Sequence, residues 1–382
     1  MKRIGRKTIA LLLAAALALP GLSAQGAEVS VTAPAAVLME ASTGRVLAER
    51  EPHQQRPCAS ITKVMTLLLT FEAMEAGKLS LTDTLTASAH AASMGGSDIW
   101  LEEGEQMTVD DLIKATVIMS ANDAAVVLAE AVSGSEEAFV ARMNERAGEL
   151  GMADTVFKNC NGLDEEGHVT SAYDVALMSR ALLRFEKIRD YTLTWMDSVR
   201  NGETQLVNTN KLIRSYQGIT GLKTGTTSQA GSCIAATAER DGMELIAVVL
   251  GADSTDHRFQ DAAALLDYGF AGWEVARPQP PQLGEVPVAG GMGNTVPAQV
   301  GDLPSLLVEK GQGEQVEEEI TWQPDLTAPV KQGQTIGRVT YRLEGETLGE
   351  ADIVAGAEVE AVTFFAAFRS LWQAARRPLW PR

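Results

Sequence analysis

Two periodicities alternate along the first two thirds of the chain. Apolar runs short enough for buried strands, Ala36–Glu40 and Leu245–Gly251, are interleaved with longer stretches whose apolar positions recur every three to four residues: Ile61–Ala76, Val109–Val132 and Ala172–Leu183. From about Val29 to Phe270 this predicts strands and helices in layers, an α/β domain. The pattern breaks at Ala276-Arg277-Pro278-Gln279-Pro280-Pro281-Gln282, where three prolines in a short window suppress regular structure and mark a linker. Beyond it, Val286–Val288, Leu306–Val308, Glu317–Trp322, Ile336–Tyr341 and Glu358–Val362 predict short strands between Gly, Pro and charged turns, a small all-β domain. The period then returns to helical: Phe364, Phe365, Phe368, Leu371, Trp372 and Ala375 share one face, with Arg369, Arg376, Arg377 and Arg382 around it. An aromatic face with a basic surround suits a helix lying in a lipid interface, or one docked on the protein's own core; arginines interrupting the apolar run argue against a spanning helix.

The N-terminus carries a different signal. Lys2, Arg3, Arg6 and Lys7 precede the apolar run Ile9–Leu19 and the small residues Ser23-Ala24-Gln25-Gly26-Ala27, the layout of a signal peptide cleaved between Ala24 and Ala27. The run is well short of the ~20 residues that cross a bilayer. The expected organisation is therefore a signal peptide over 1–27, a catalytic domain over 28–275, a linker over 276–282, an all-β domain over 283–361 and an amphipathic helix over 362–382. With 382 residues, 45% of them hydrophobic, two folded units are feasible. A formal charge of −18 argues against nucleic acid as a partner, because a phosphate polyanion needs a basic footprint. Three cysteines, Cys58, Cys160 and Cys233, leave an odd thiol and no complete disulfide framework. They read as buried small apolar residues, although Cys58, two positions before Ser60, could also line a site there; no metal-ligand spacing and no cofactor motif is present.

Three short motifs carry chemistry. Ser60-Ile61-Thr62-Lys63 opens a predicted helix, and residues three apart share a face, so the Lys63 amine can reach the Ser60 hydroxyl. A serine attacks only when a base takes its proton, and lysine is a base only where desolvation or a nearby cation keeps it neutral. Ser60 at a helix start would also aim its backbone N–H at a developing oxyanion. No other lysine has a serine three residues before it. Ser120-Ala121-Asn122 is equally unique as a Ser-x-Asn triplet and lies within a helical stretch, where polar residues that compete for backbone hydrogen bonds suggest an interrupting turn. Ser120 can relay a proton and Asn122 can hold a substrate backbone. Gly221-Leu222-Lys223-Thr224-Gly225-Thr226-Thr227 reads as a strand with a glycine at a close approach; Lys223, Thr224 and Thr226 offer a positive charge and hydroxyls to a terminal carboxylate. Separately these motifs read as a capped helix, a helix cap and a Gly-rich turn; the set is the signal.

Ser-x-x-Lys, a Ser-x-Asn type triplet and Lys-Thr-Gly together characterise class A β-lactamases and penicillin-binding proteins. The chain resembles the low-molecular-mass penicillin-binding proteins, the D-Ala-D-Ala carboxypeptidases, over roughly residues 30 to 362. Pro57–Thr66, Asn161-Gly162-Leu163, His168–Asp174, Asn208–Leu212, Leu265–Phe270 and Leu326–Val330 extend the match. The resemblance implies a central antiparallel sheet flanked by helices, followed by the all-β domain and a terminal amphipathic anchor. It implies a peptidoglycan stem peptide ending in D-Ala-D-Ala as substrate and β-lactams as covalent inhibitors. Ser60 would attack the carbonyl between the two D-alanines with Lys63 as base, Ser120 and Asn122 assisting. Lys223 and Thr224 would hold the carboxylate, the backbone N–H groups of Ser60 and Thr226 would form the oxyanion hole, and Arg258 would add a carboxylate contact unless it is an exposed surface arginine. The implied location is the outer face of the cytoplasmic membrane. A class A β-lactamase would carry a Glu-x-x-Leu-Asn segment, and Leu-Asn occurs nowhere in the chain. A transpeptidase would pass the acyl group to an amine, whereas a single catalytic domain of this size favours hydrolysis. A non-catalytic peptidoglycan- or β-lactam-binding protein would need no activated nucleophile.

Overall fold

The computed structural model describes residues 30–365 together with Phe368 and Trp372. The expected signal peptide and helix positions 371 and 375 lie outside the described residues. Hairpin β1 (Ala35–Glu40) and β2 (Val46–Arg50) opens the fold and leads through a 3-10 turn into α1 (Lys63–Glu75). A small hairpin of β3 (Thr84–Thr86) and β4 (Gln106–Thr108) brackets α2 (Ala89–Ala92). Helices α3 (Val109–Lys114), α4 (Asn122–Ser133), α5 (Glu136–Glu149), α6 (Ala172–Leu183) and α7 (Ile188–Thr192) follow, then hairpin β5 (Met196–Val199)–β6 (Thr204–Val207) and α8 (Leu212–Ser215). The meander β7 (Ile219–Thr227), β8 (Gly231–Arg240), β9 (Met243–Ala252) and the long α9 (Thr255–Gly272) close the domain.

The main sheet is antiparallel throughout, in the order β2-β1-β9-β8-β7. Strands β1 and β9 read as nearly unbroken apolar runs because both faces are covered. Ala35, Val37 and Met39 face the core built with α1, α4 and α6, whereas Ala36 and Leu38 face the core built with α9. The opposed β9 strand divides the same way, Ile246, Val248 and Leu250 to the first side, Leu245, Ala247 and Val249 to the second. The layered arrangement of helices and sheet is thus the expected one. β7 ends up as an edge strand, and the Ser60 turn packs against it.

The all-β domain is also present, with differences in detail. Its strands β11 (Glu285–Pro287), β12 (Thr295–Val300), β14 (Glu317–Trp322), β15 (Thr335–Leu343) and β16 (Glu346–Ala355) form one sheet in the order β11-β12-β16-β15-β14. The expected strand Glu358–Val362 makes only isolated bridges, Val359 with Val330 and Ala361 with Gly291. β16 escaped the apolar pattern because Gly349 and four acidic residues, Glu346, Glu350, Asp352 and a preceding Glu344, dilute it. The joint between domains is tighter than a free linker. β10 (Trp273–Ala276) pairs with β13 (Leu306–Glu309), and alternation along β13 sends Leu307 into the α9-side core and Leu306 into the β-domain core. Only the proline-rich residues after Ala276 are irregular. At the far end, Phe364, Phe365, Phe368 and Trp372 are helical and exposed, with Phe364 stacked on Phe368 and Phe368 on Trp372. Among the described residues no helix is long and apolar enough to cross a membrane.

Candidate active site

Ser60 does not begin an α-helix as expected; it sits in the 3-10 turn Ala59–Thr62, which Ala59 enters with φ +51°. A 3-10 turn has three residues per turn and eclipses positions three apart. Lys63, the first residue of α1, therefore comes to lie beside Ser60, with Nζ 3.1 Å from its Oγ. Lys63 is fully buried, and that burial pushes its pKa down to about 7. Its Nζ donates to Asn122 Oδ1 at 2.6 Å and to the Asn161 carbonyl at 2.7 Å. A neutral amine has two N–H groups and one lone pair. The two short bonds engage the N–H groups, which leaves the lone pair for the Ser60 hydroxyl.

The helix expected over Val109–Val132 is interrupted where the motif suggested a turn. After α3 the chain makes a π-helical turn over Ala115–Met119, Ser120 takes the left-handed conformation (φ +67°), and α4 begins at Asn122. A non-glycine residue held there stores strain that the surroundings must fix. The surroundings are on both sides. Ser120 Oγ accepts from Lys223 Nζ at 2.9 Å, and Asn122 Nδ2 donates to the Gly95 carbonyl at 2.6 Å. That second bond sets the amide orientation and turns Oδ1 toward Lys63. Ser120 is thus tied to Lys223, and Asn122 to Lys63.

β7 brings in the third motif. A Cβ at Gly225 would stand 2.6 Å from the Cys58 carbonyl and 3.0 Å from the Ser60 nitrogen, so only glycine lets this strand approach the nucleophile turn. Lys223 is buried and donates to Ser120 and to the Thr224 carbonyl. Burial holds its pKa well below the usual lysine range, reinforced by its proximity to the titratable Lys63 and to the Arg258 guanidinium. Thr224 Oγ1 donates to Thr209 Oγ1 at 2.6 Å. Arg258 is no surface arginine: it is 6% exposed on α9, and its Nη1 donates to Thr226 Oγ1 at 2.8 Å and to the Gly225 carbonyl at 3.0 Å. All eight residues named from the sequence gather where the Ser60 turn, the Ser120 turn and β7 meet.

Three contributors received no role from the sequence. Asn161 supplies the carbonyl that holds Lys63, Thr209 buttresses Thr224, and Gly162 (φ +88°) lies so close to the nucleophile turn that a Cβ would fall 1.9 Å from the Ala59 carbonyl. The runs Asn161-Gly162-Leu163 and Asn208-Thr209-Asn210 were their only traces. Cys58 is fully buried behind the turn, its Sγ 3.4 Å from Thr62 Oγ1, and desolvation pushes its thiol up to about 12, so it is an inert packing residue.

A serine beside a buried, readily neutralised lysine, facing a strand that carries the buried Lys223 with Arg258 of α9 beside it, is the equipment of an acyl-transferring serine hydrolase for substrates ending in a carboxylate. The chain belongs to the D-alanyl-D-alanine carboxypeptidase family. The sequence profile of that description matches residues 22–254, and one described as the C-terminal domain of penicillin-binding protein 5 matches residues 279–361. D-alanyl-D-alanine carboxypeptidase DacF of Bacillus subtilis is 40% identical over 345 residues, 88% of each chain. Penicillin-binding protein 5 of Haemophilus influenzae superposes with a TM-score of 0.76 at 30% identity, over 87% of this chain and 98% of that one. Penicillin-binding protein D2 of Listeria monocytogenes in its ampicillin-bound form gives 0.58 at 33% identity, over 63% and 98%. The protein is a serine-type D-Ala-D-Ala carboxypeptidase, a hydrolase of the penicillin-binding group, rather than a β-lactamase or a non-catalytic binder.

Proposed function

We propose that Ser60 is the nucleophile that removes the terminal D-alanine from peptidoglycan stem peptides, with Lys63 as its base. The observation that carries this reading is the 3.1 Å separation of Lys63 Nζ from Ser60 Oγ in a site that depresses the lysine's pKa. The lone pair takes the Ser60 proton as Oγ bonds to the penultimate carbonyl carbon. The backbone N–H groups of Ser60 and Thr226 receive the oxyanion. Ser120, held by Lys223, gives its hydroxyl proton to the departing D-alanine amine as the peptide C–N bond breaks and recovers one from Lys63, which becomes neutral again. Lys223, Thr224 and Arg258 meet the substrate carboxylate, and Asn122 orients the acyl chain. Water then adds to the ester carbonyl carbon with Lys63 taking its proton, and Lys63 returns that proton to Ser60 Oγ as the C–Oγ bond breaks and the carboxylic acid product departs. Release of D-alanine from a peptide ending in D-Ala-D-Ala tests the reaction. Ser60→Ala should abolish that release and all covalent labelling by a fluorescent penicillin; labelling retained in the variant moves the nucleophile elsewhere.

We further propose that the protein is exported and lies on the outer face of the cytoplasmic membrane, held there by its C-terminal helix. The signal-peptide layout of residues 1–27 supports export. The exposed ring ladder Phe364, Phe368 and Trp372 supports an interfacial helix. Deleting residues 362–382 should leave turnover of a soluble peptide intact and release the protein from membranes. Persistent membrane association of that truncation refutes the anchor.

A further inference from the structure

The five strands of the β-domain do not close into a barrel. β11 and β14 are the two edges of the sheet, and between the β11 side and the end of β14 lies a groove of about 530 Å³. Val286 and Pro287 line one wall; Trp322, Gln323, Asp325 and Leu326 line the other. Its size falls in the range of about 300–1,000 Å³ typical of small-ligand sites.

The chemistry of the lining narrows the ligand. Trp322 stands opposite Gly337 in the β14–β15 ladder, and a Cβ at Gly337 would come within 3.0 Å of its ring. The indole is therefore laid against the β15 backbone while remaining 39% exposed, a fixed platform with an open face. The exposed side chains of Gln323 and Asp325 beside it make no hydrogen bond within the described structure. A flat aromatic surface next to a free amide and a free carboxylate matches a ligand with one apolar face and a rim of hydroxyl or acetamido groups, which is the surface of a pyranose. Among the described residues the groove has no basic lining residue, and its ionisable groups, Glu285 and Asp325, are both acidic, which disfavours phosphates and other anions. A peptide adding as a further strand fits less well: β11 is three residues long and ends at Pro287, which has no N–H, and β14 begins with Glu317, Glu318 and Glu319.

We propose that this groove is a glycan-binding site for a neutral chain of β-1,4-linked N-acetylhexosamines. Its identity as the glycan of peptidoglycan rests on the carboxypeptidase reading above, since the stem peptides hang from that chain. Because β13 is shared between both cores, a glycan held on Trp322 would be presented at a set distance from Ser60.

The test uses the full chain acylated with penicillin, so that the catalytic cleft is blocked, and a soluble β-1,4-linked N-acetylglucosamine tetramer as probe. Calorimetric or NMR titration should give a dissociation constant of about 1 mM or tighter, and Trp322→Ala should weaken it by about tenfold or more. Gln323→Ala should weaken binding less, and Trp322→Tyr should retain most of it. Unchanged penicillin labelling and thermal midpoint certify that the variants are folded. Absence of binding to the wild type, or Trp322→Ala binding as tightly as the wild type, overturns the proposal. So does capture of an extended peptide with no sugar binding, which assigns the seam to strand addition. D-alanine release by untreated protein is scored separately: sugar binding without release sinks the carboxypeptidase reading, and release without sugar binding sinks the groove.

Discussion

The two domains treat buried polarity in opposite ways. The catalytic domain encloses Lys63, Lys223, Arg258, Asn122, Asp123 and Asp174, whereas among the described residues of the β-domain the buried set is apolar apart from Thr340 and the hydroxyl of Tyr341. Burying a charged or amide group is unfavourable unless partners replace water, so the first domain must hold each of these groups in a network, and the second needs only apolar packing. The difference shows where selection has kept an unfavourable arrangement for chemistry. It also orders the perturbations: the more a substitution disturbs the buried network, the larger the expected loss of activity.

The largest effect is expected at Lys63. Lys63→Arg places a permanent cation where a lone pair is needed and should lower acylation by a β-lactam by about 10³-fold or more. The wild-type rate should also report the depressed pKa. Below about pH 7 the amine is protonated and cannot take the Ser60 proton, so the acylation rate should fall about tenfold for each pH unit, and it should level off above that point. Stopped-flow labelling with a fluorescent penicillin across pH 5 to 9 measures this. A rate that is flat down to pH 5 removes Lys63 from the role of base.

Next comes Gly162→Ala. The new Cβ would fall 1.9 Å from the Ala59 carbonyl at a backbone with φ +88°, so the Ser60 turn must move. A displacement near 1 Å at the reacting atom lowers kcat/KM by about 10²-fold. A variant with wild-type kcat/KM would show that the turn is adjustable and the site less tightly built than its contacts suggest.

These two residues mark the limit of what the sequence disclosed. Ser60, Lys63, Ser120, Asn122 and Lys223 were legible because each motif is local: a helical spacing, a triplet, a strand. Gly162 and Asn161 act through a loop that returns to the nucleophile turn from about a hundred residues away, and no periodicity encodes such a return. Strands β1 and β9 of the main sheet were legible as continuous apolar runs because both their faces are covered. β12 and β16 were not, since each has one face in solvent and carries Pro297, or Gly349 among acidic residues, inside the strand. The 3-10 turn at Ser60 was read as the start of α1 because the two differ by a single hydrogen-bond register.

The joint between the domains offers a smaller effect that leaves the chemistry alone. Leu307, 3% exposed, projects from the β10–β13 ribbon into the α9-side core. Leu307→Ala should destabilise the protein by about 2–4 kcal/mol and separate the melting of the two domains in a calorimetric scan, with kcat/KM on a soluble peptide changed less than about twofold because no site residue is touched. A single unshifted transition in the variant would mean that the domains are coupled by other contacts, or not at all.

The smallest effect belongs to Tyr341, and it tests the comparison from the apolar side. Its ring is fully buried in the β-domain core, its hydroxyl has no hydrogen-bond partner among the described residues, and burial raises its pKa. A buried donor without a partner is destabilising by about 1–3 kcal/mol relative to an apolar group of the same shape, so Tyr341→Phe should leave the urea midpoint unchanged or raise stability by about 1 kcal/mol. The matching truncation in the catalytic domain is Thr62→Val, where the hydroxyl lies 2.8 Å from His168 Nε2. There the same loss of one oxygen leaves His168 Nε2 without that partner, while Nδ1 still accepts from the Lys158 N–H, and should destabilise by about 1–3 kcal/mol. If Tyr341→Phe proved as damaging as Thr62→Val, the hydroxyl would have a role in the β-domain, and that domain could no longer be described as held by apolar packing alone.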